Sequence, residues 1–141
     1  KPDAVQRGLI GPILARLEAR GLKIAALRLL QMDEALAARH YAAHVGKGFY
    51  PGLVSFITSG PIVAAVLEGP NAVATVRNTM GATNPSAAAP GTIRGDFGVD
   101  IGRNLIHGSD SVESAATEIA LYFEPGQVLN YARANDGWIV E

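Results

Sequence analysis

Leu9, Ile13, Leu14 and Leu17 recur at three- and four-residue spacing, with Arg16, Glu18 and Arg20 opposite them, which predicts an amphipathic helix ended at Gly21. From Leu22 the period shortens to two (Leu22, Ile24, Ala26) and the run stays mostly apolar to Met32, the pattern of a strand. Asp33 stands where it can cap a helix carrying Ala35, Leu36 and Tyr41. Pro51 to Thr58 predicts a short helix, punctuated by Ser59-Gly60-Pro61. The β-branched-rich run Ile62 to Leu67 reads as a central strand. Gly69-Pro70 opens a helix with Val73, Val76 and Met80 on one face, beside Arg77, and Gly81 at its end. Asn104 to His107 reads as a short strand. Asp110 or Ser111 then caps a last helix, whose expected buried stripe is Val112, Ala115, Ala116, Ile119 and Phe123. Residues after Pro125 are expected to pack as a tail on the surface or on a neighbour. Residues 82–104 lack periodicity and carry Pro85, Pro90, Gly91, Gly95 and Gly98. A loop this long inside a compact domain points to function.

Strands and helices interleave, so a small α/β domain is expected, and 141 residues fit one domain spanning 1–141. The pattern opens on a helix, which suggests a strand ahead of Lys1. No apolar run reaches the roughly 18 residues that span a bilayer, so no membrane association is expected. Cysteine is absent, which excludes disulfides and thiolate chemistry and agrees with a cytoplasmic location. A net charge of −1 without blocks of like charge gives no general attraction to nucleic acid. Any bound anion must therefore be held by a few placed basic groups.

Three histidines are present. His40 and His44 are four apart on a predicted helix, the spacing of a metal pair, but no third ligand is evident and they read as ordinary helix residues. His107 differs in context. It lies at the end of an apolar segment, before Gly108 and a helix N-terminus that favours negative charge. Glu118, eleven residues on, borders the buried face of that helix. It can hydrogen-bond one imidazole nitrogen and leave the other as a nucleophile. From spacing alone, a core histidine among capping serines and aspartates is an equal reading. Ser109 lacks the G-x-S-x-G context of a hydrolase nucleophile and reads as a cap. Neither the P-loop nor the Rossmann pattern occurs. Candidate phosphate ligands are Lys1, Arg77, Thr83, Arg94 and Asn104, mostly flanking the long loop; an arginine fork donates two parallel charge-assisted bonds to phosphate.

The opening Lys1-Pro2-Asp3-Ala4-Val5-Gln6-Arg7-Gly8-Leu9-Ile10-Gly11 resembles the N-terminal signature of the nucleoside diphosphate kinase family. His40-Tyr41, Gly52-Leu53-Val54, Thr58-Ser59-Gly60-Pro61, Gly81-Ala82-Thr83-Asn84-Pro85 and Pro90 to Phe97 match in order. Gly102 to Ser111 is similar to the family's active-site motif. Gly48 departs from the pattern, which often has proline there. The resemblance implies a ferredoxin-like fold, an antiparallel four-stranded sheet covered by helices. The first strand would end at Lys1, and so is missing from these residues. It further implies a ping-pong transfer of the γ-phosphoryl of ATP to nucleoside diphosphates through a phosphohistidine on His107. Glu118 would orient that ring and Ser109 would support Glu118. Lys1, Tyr41, Arg94 and Asn104 would contact phosphates, sugar or His107. Arg77 and Thr83 would bind the distal phosphates, and Phe49 would stack on the base. Mg²⁺ would arrive on the nucleotide phosphates, with no protein ligand of its own. A homo-oligomer is implied, a hexamer by preference over a tetramer.

Overall fold

The computed structural model describes residues 1–141. Strands β1 (Lys23–Gln31) and β2 (Pro61–Glu68) pair antiparallel, from Lys23 opposite Glu68 to Gln31 opposite Pro61. A bulge between Ile24 and Ala26 leaves Ala25 as the extra residue. The helices are α1 (Pro2–Gln6), α2 (Ile10–Ala19), α3 (Glu34–His40), α4 (Tyr50–Ile57), α5 (Ala72–Met80), α6 (Ile93–Phe97) and α7 (Val112–Tyr122). Their ends follow local chemistry. Asp33 accepts from the Leu36 N–H at 2.7 Å, Ser111 from that of Ser114 at 3.0 Å, and Gly81 leaves α5 at φ +85°. Three apolar clusters form the core. Leu17, Leu22, Ile93 and Leu105 sit in the first, Met32, Tyr41, Ile57 and Ile62 in the second, and Ala25, Val66 and Phe123 in the third.

Four expectations change. Residues 104–107 form no strand, because Leu105 has φ +73°, a left-handed conformation that no strand accommodates. The loop 82–104 is built from α6 and from 3₁₀ turns at Pro85–Ala87 and Ile101–Arg103, elements too short to carry a readable period. In α7, Val112 is 72% exposed and Ala116 is exposed as well. The inward face is Ala115, Glu118, Ile119 and Tyr122, at the i, i+3, i+4, i+7 positions of one helical side. Finally, the sheet has two strands, where the resemblance, with its first strand absent from these residues, implies three. The outer edge of β2 has no strand partner. It borders an apolar cavity of about 260 Å³ whose far wall includes Ala115, Ile119 and Phe123. The tail behaves as expected of a surface segment: the Leu129 N–H donates to the Ala25 carbonyl at the bulge, and Arg133 donates to the Gly21 and Leu22 carbonyls.

Candidate active site

The segment carrying His107 is held in a strained turn. The Ile106 N–H donates to the Asn104 carbonyl at 2.8 Å around the left-handed Leu105, a γ-turn of the rare positive-φ kind. Such a conformation costs about 1–3 kcal/mol and persists only where its surroundings over-determine it. Here they do. Leu105 is fully buried, its N–H donates to Asp3 Oδ2 at 3.0 Å, and its carbonyl accepts from the Lys1 backbone nitrogen at 2.9 Å. Arg94, buried beneath the turn, donates from Nε to Asn104, from Nη2 to Ile106 and from Nη1 to Gly81, all to carbonyl oxygens. A Cβ on Gly108 would lie 2.6 Å from the Met80 sulfur, so a larger residue would have to push that side chain aside for the turn to close against α5.

His107 stands half exposed on this mount, with Nε2 2.9 Å from Glu118 Oε1. Ser109 Oγ donates to the other carboxylate oxygen. Burial pushes the Glu118 carboxyl up, but the hydrogen bonds from His107 and Ser109 outweigh it and hold the group at about 2. An ionised carboxylate only accepts, so Nε2 carries the ring proton and Nδ1 keeps a free lone pair. The folded value lies below the ordinary 4.5. The stability Glu118 contributes is therefore complete above pH 4.5 and lost as pH falls towards 2. An NMR titration of its side-chain carboxyl carbon should give a midpoint near 2, and Ser109→Ala should move it upward. An unmoved midpoint would mean that Ser109 does not hold the carboxylate.

The other expected residues divide clearly. Lys1 Nζ donates to Asn104 Oδ1, and Asn104 Nδ2 donates to the Thr83 carbonyl at 2.9 Å, so these three form one chain. Burial pulls the Lys1 ammonium down to about 8, against the attraction of Asp3. Arg77 is exposed and donates to the Gly108 carbonyl at 3.1 Å, next to the histidine. Tyr41 is buried and meets the ring of His40 at 4.6 Å, edge-on. Burial and then Glu118 raise its hydroxyl to about 12, so it stays a neutral donor. Phe49 is 57% exposed, apart from the histidine turn, beside His44 and Lys47. Arg94 makes its three hydrogen bonds inward, to the turn.

The four-residue spacing of His40 and His44 does not put them on one helix. His44 lies in a 3₁₀ turn beyond α3, with Nδ1 3.2 Å from Lys47 Nζ. His40 instead packs edge-on against His107, centroids 4.9 Å apart, and its Nδ1 lies 2.9 Å from the Tyr122 hydroxyl. Asp3 was also missed as a holder of the turn. No sequence signal marks either contact, since both join distant segments.

The family model described as nucleoside diphosphate kinase matches residues 1–128. The chain is 63% identical over 143 residues to the nucleoside diphosphate kinase of Chloroflexus aurantiacus and 58% identical over 141 residues to that of Roseiflexus, covering 100% of this chain and 95% of each relative. Among solved structures it is similar to a halophilic nucleoside diphosphate kinase from Halobacterium salinarum in complex with CDP. That match has a TM-score of 0.96 and 52% identity, and covers 100% of this chain and 94% of the other. A family protein from Babesia bovis matches with a TM-score of 0.96 and 46% identity, over 99% of this chain and 95% of the other.

Proposed function

The chain belongs to the nucleoside diphosphate kinase family, and on that premise we propose that His107 is the residue through which it passes a phosphoryl group from one nucleotide to another. The observation that carries this reading is the 2.9 Å bond from Nε2 to Glu118, which leaves the Nδ1 lone pair of a half-exposed ring free. Nδ1 attacks the γ-phosphorus of a triphosphate. The new P–N bond forms as the bond to the β–γ bridging oxygen breaks, and the diphosphate departs. The positive charge gained by the ring is balanced by the Glu118 carboxylate. A second diphosphate then takes the phosphoryl group by the reverse step, which gives ping-pong kinetics.

The nucleotide reaches the site as its Mg²⁺ complex. Mg²⁺ would come as part of that substrate, on the oxygens of the nucleotide phosphates, and no protein carboxylate is assigned to it. Arg77 and the side chain of Thr83 hold the distal phosphates, Lys1 and Asn104 the sugar and the transferred group, and the neutral Tyr41 hydroxyl faces the same space. The exposed Phe49 ring offers a base-blind stacking surface. The CDP held by the Halobacterium relative supports a nucleotide ligand. No helix is long and apolar enough to cross a membrane, and we place the enzyme in the cytoplasm. Exposed Leu27, Leu29, Trp138 and Val140 support assembly into a homo-oligomer, a hexamer by preference, which sedimentation would decide. The assay is incubation with γ-labelled ATP and Mg²⁺. Acid-labile label that is lost in His107→Ala and passes to added GDP or CDP supports the shuttle. Label that persists without His107 overturns it.

The finer fold follows from the unpaired edge of β2. A largely apolar space of about 260 Å³, open towards His107 and Glu118, lies along that edge. We therefore read the space beside the free edge of β2 as the place of a third strand of the four-stranded ferredoxin-like sheet, within one domain. Adding about six Val- and Leu-rich residues ahead of Lys1 should raise Tm by several degrees, and a proline-broken version should not. Equal melting of the two would remove this reading.

A further inference from the structure

His40 has no part in the phosphoryl transfer just described, yet it completes a cluster. One ligand atom each from His40, His107 and Glu118 lie within 4.8 Å of one another. We propose that this cluster is a binding site for a borderline divalent transition metal, Zn²⁺ foremost, and that its occupation silences the enzyme. Two imidazoles on one tetrahedral ion, with metal–nitrogen bonds of about 2.0–2.1 Å, put their centroids about 5 Å apart. The rings here are 4.9 Å apart and nearly perpendicular. His107 Nε2 and Glu118 Oε1 are 2.9 Å apart, close to the roughly 3.3 Å between ligands on such an ion. A small rotation of the half-exposed His107 supplies the difference.

The outer partners of a metal site are also in place. The Tyr122 hydroxyl lies against His40 Nδ1, which leaves His40 Nε2 for the ion. Ser109 holds Glu118 Oε2, so Oε1, which accepts from His107 Nε2 without an ion, is the oxygen that would turn to the ion once that proton has moved. Hydrogen bonds of this kind orient metal ligands and tune their basicity. Two imidazoles and one carboxylate suit Zn²⁺, Ni²⁺ or Cu²⁺ and not Mg²⁺, which demands oxygen ligands. The substrate's cation therefore does not compete. Silencing follows from the proton. An ion on His107 Nε2 takes the lone pair there, so the single ring proton moves to Nδ1 and no proton is released. Nδ1 then has no pair to offer phosphorus. This half of the proposal rests on His107 being the nucleophile; the binding half does not.

The test is equilibrium dialysis of nucleotide-free protein against Zn²⁺ in a non-coordinating buffer at neutral pH, with Co²⁺ absorption as a second readout. One ion per chain is expected, with the visible bands of a four-coordinate cobalt site. Tyr122→Phe, which keeps the ring in place, should weaken binding by about tenfold or more. His40→Gln should weaken it further, and His44→Gln should change nothing. Zn²⁺ at constant Mg²⁺–ATP should suppress labelling of His107 in the parent but not in His40→Gln. Parent-like affinity in both His40→Gln and Tyr122→Phe, or no stoichiometric binding, overturns the site. Normal labelling without Zn²⁺ binding sinks this proposal alone. Zn²⁺ binding that depends on His40 in a protein never labelled on His107 sinks the nucleophile and leaves the metal site standing.

Discussion

Replacing His107 by alanine lowers the rate of phosphotransfer by about 10⁴-fold or more, while nucleotide binding stays close to that of the parent. Nothing else at the site can stand in for its Nδ1. Glu118 is anionic and bonded to Ser109, Tyr41 keeps its proton up to about 12, and Ser109 directs its own proton at Glu118. The side chain is half exposed and its one hydrogen bond is to Glu118, so its loss leaves no buried cavity. Glu118 then keeps only Ser109, and its carboxyl rises from about 2 towards the ordinary range. Steady-state turnover with ATP and GDP, read beside a nucleotide-binding titration and a melt, checks all three. A tenth of the parental rate remaining would mean that phosphate moves directly between nucleotides.

The second large effect falls on stability. Arg94→Ala removes the three N–H donors that the buried guanidinium gives to the Asn104, Gly81 and Ile106 carbonyls, and with them the packing of its stem. The Asn104 carbonyl keeps the Ile106 N–H, but those of Gly81 and Ile106 lose their donor, at about 1–3 kcal/mol each, and water entering the gap recovers part of that. A loss of about 3 kcal/mol or more is expected, a fall in Tm on the order of 10 °C. Arg94→Lys recovers little, because one ammonium cannot replace the arginine's planar fork beneath three carbonyls. Thermal melts of the two variants measure this. Parental Tm with impaired turnover would mean that Arg94 serves the phosphates and not the turn.

The contrast between these residues reflects what each depends on. His107 and Glu118 were legible as a pair because both lie in one short stretch, a turn and the helix after it, where spacing fixes approach. Arg94 stood out as an arginine beside a functional loop, and that suggested phosphate. Its inward direction depends on the left-handed Leu105, which no residue type announces. A leucine at positive φ is a property of what surrounds it: Asp3 on its N–H, Lys1 on its carbonyl and Arg94 beneath.

Sequence alone determined the two strands, the helices α2, α5 and α7, the caps at Asp33 and Ser111, and the family, whose motif singled out the histidine. Each of these is set within a few residues, by periodicity, by side-chain to backbone bonding, or by an ordered motif. The tertiary structure decided which side of α7 turns inward, where Glu118 sits among Ala115, Ile119 and Tyr122 in place of the more apolar Val112. It also brought His40 against His107 and turned Arg94 towards backbone carbonyls. Those outcomes are settled by long-range packing and by the need of every buried polar group for a partner, and neither leaves a period in the chain.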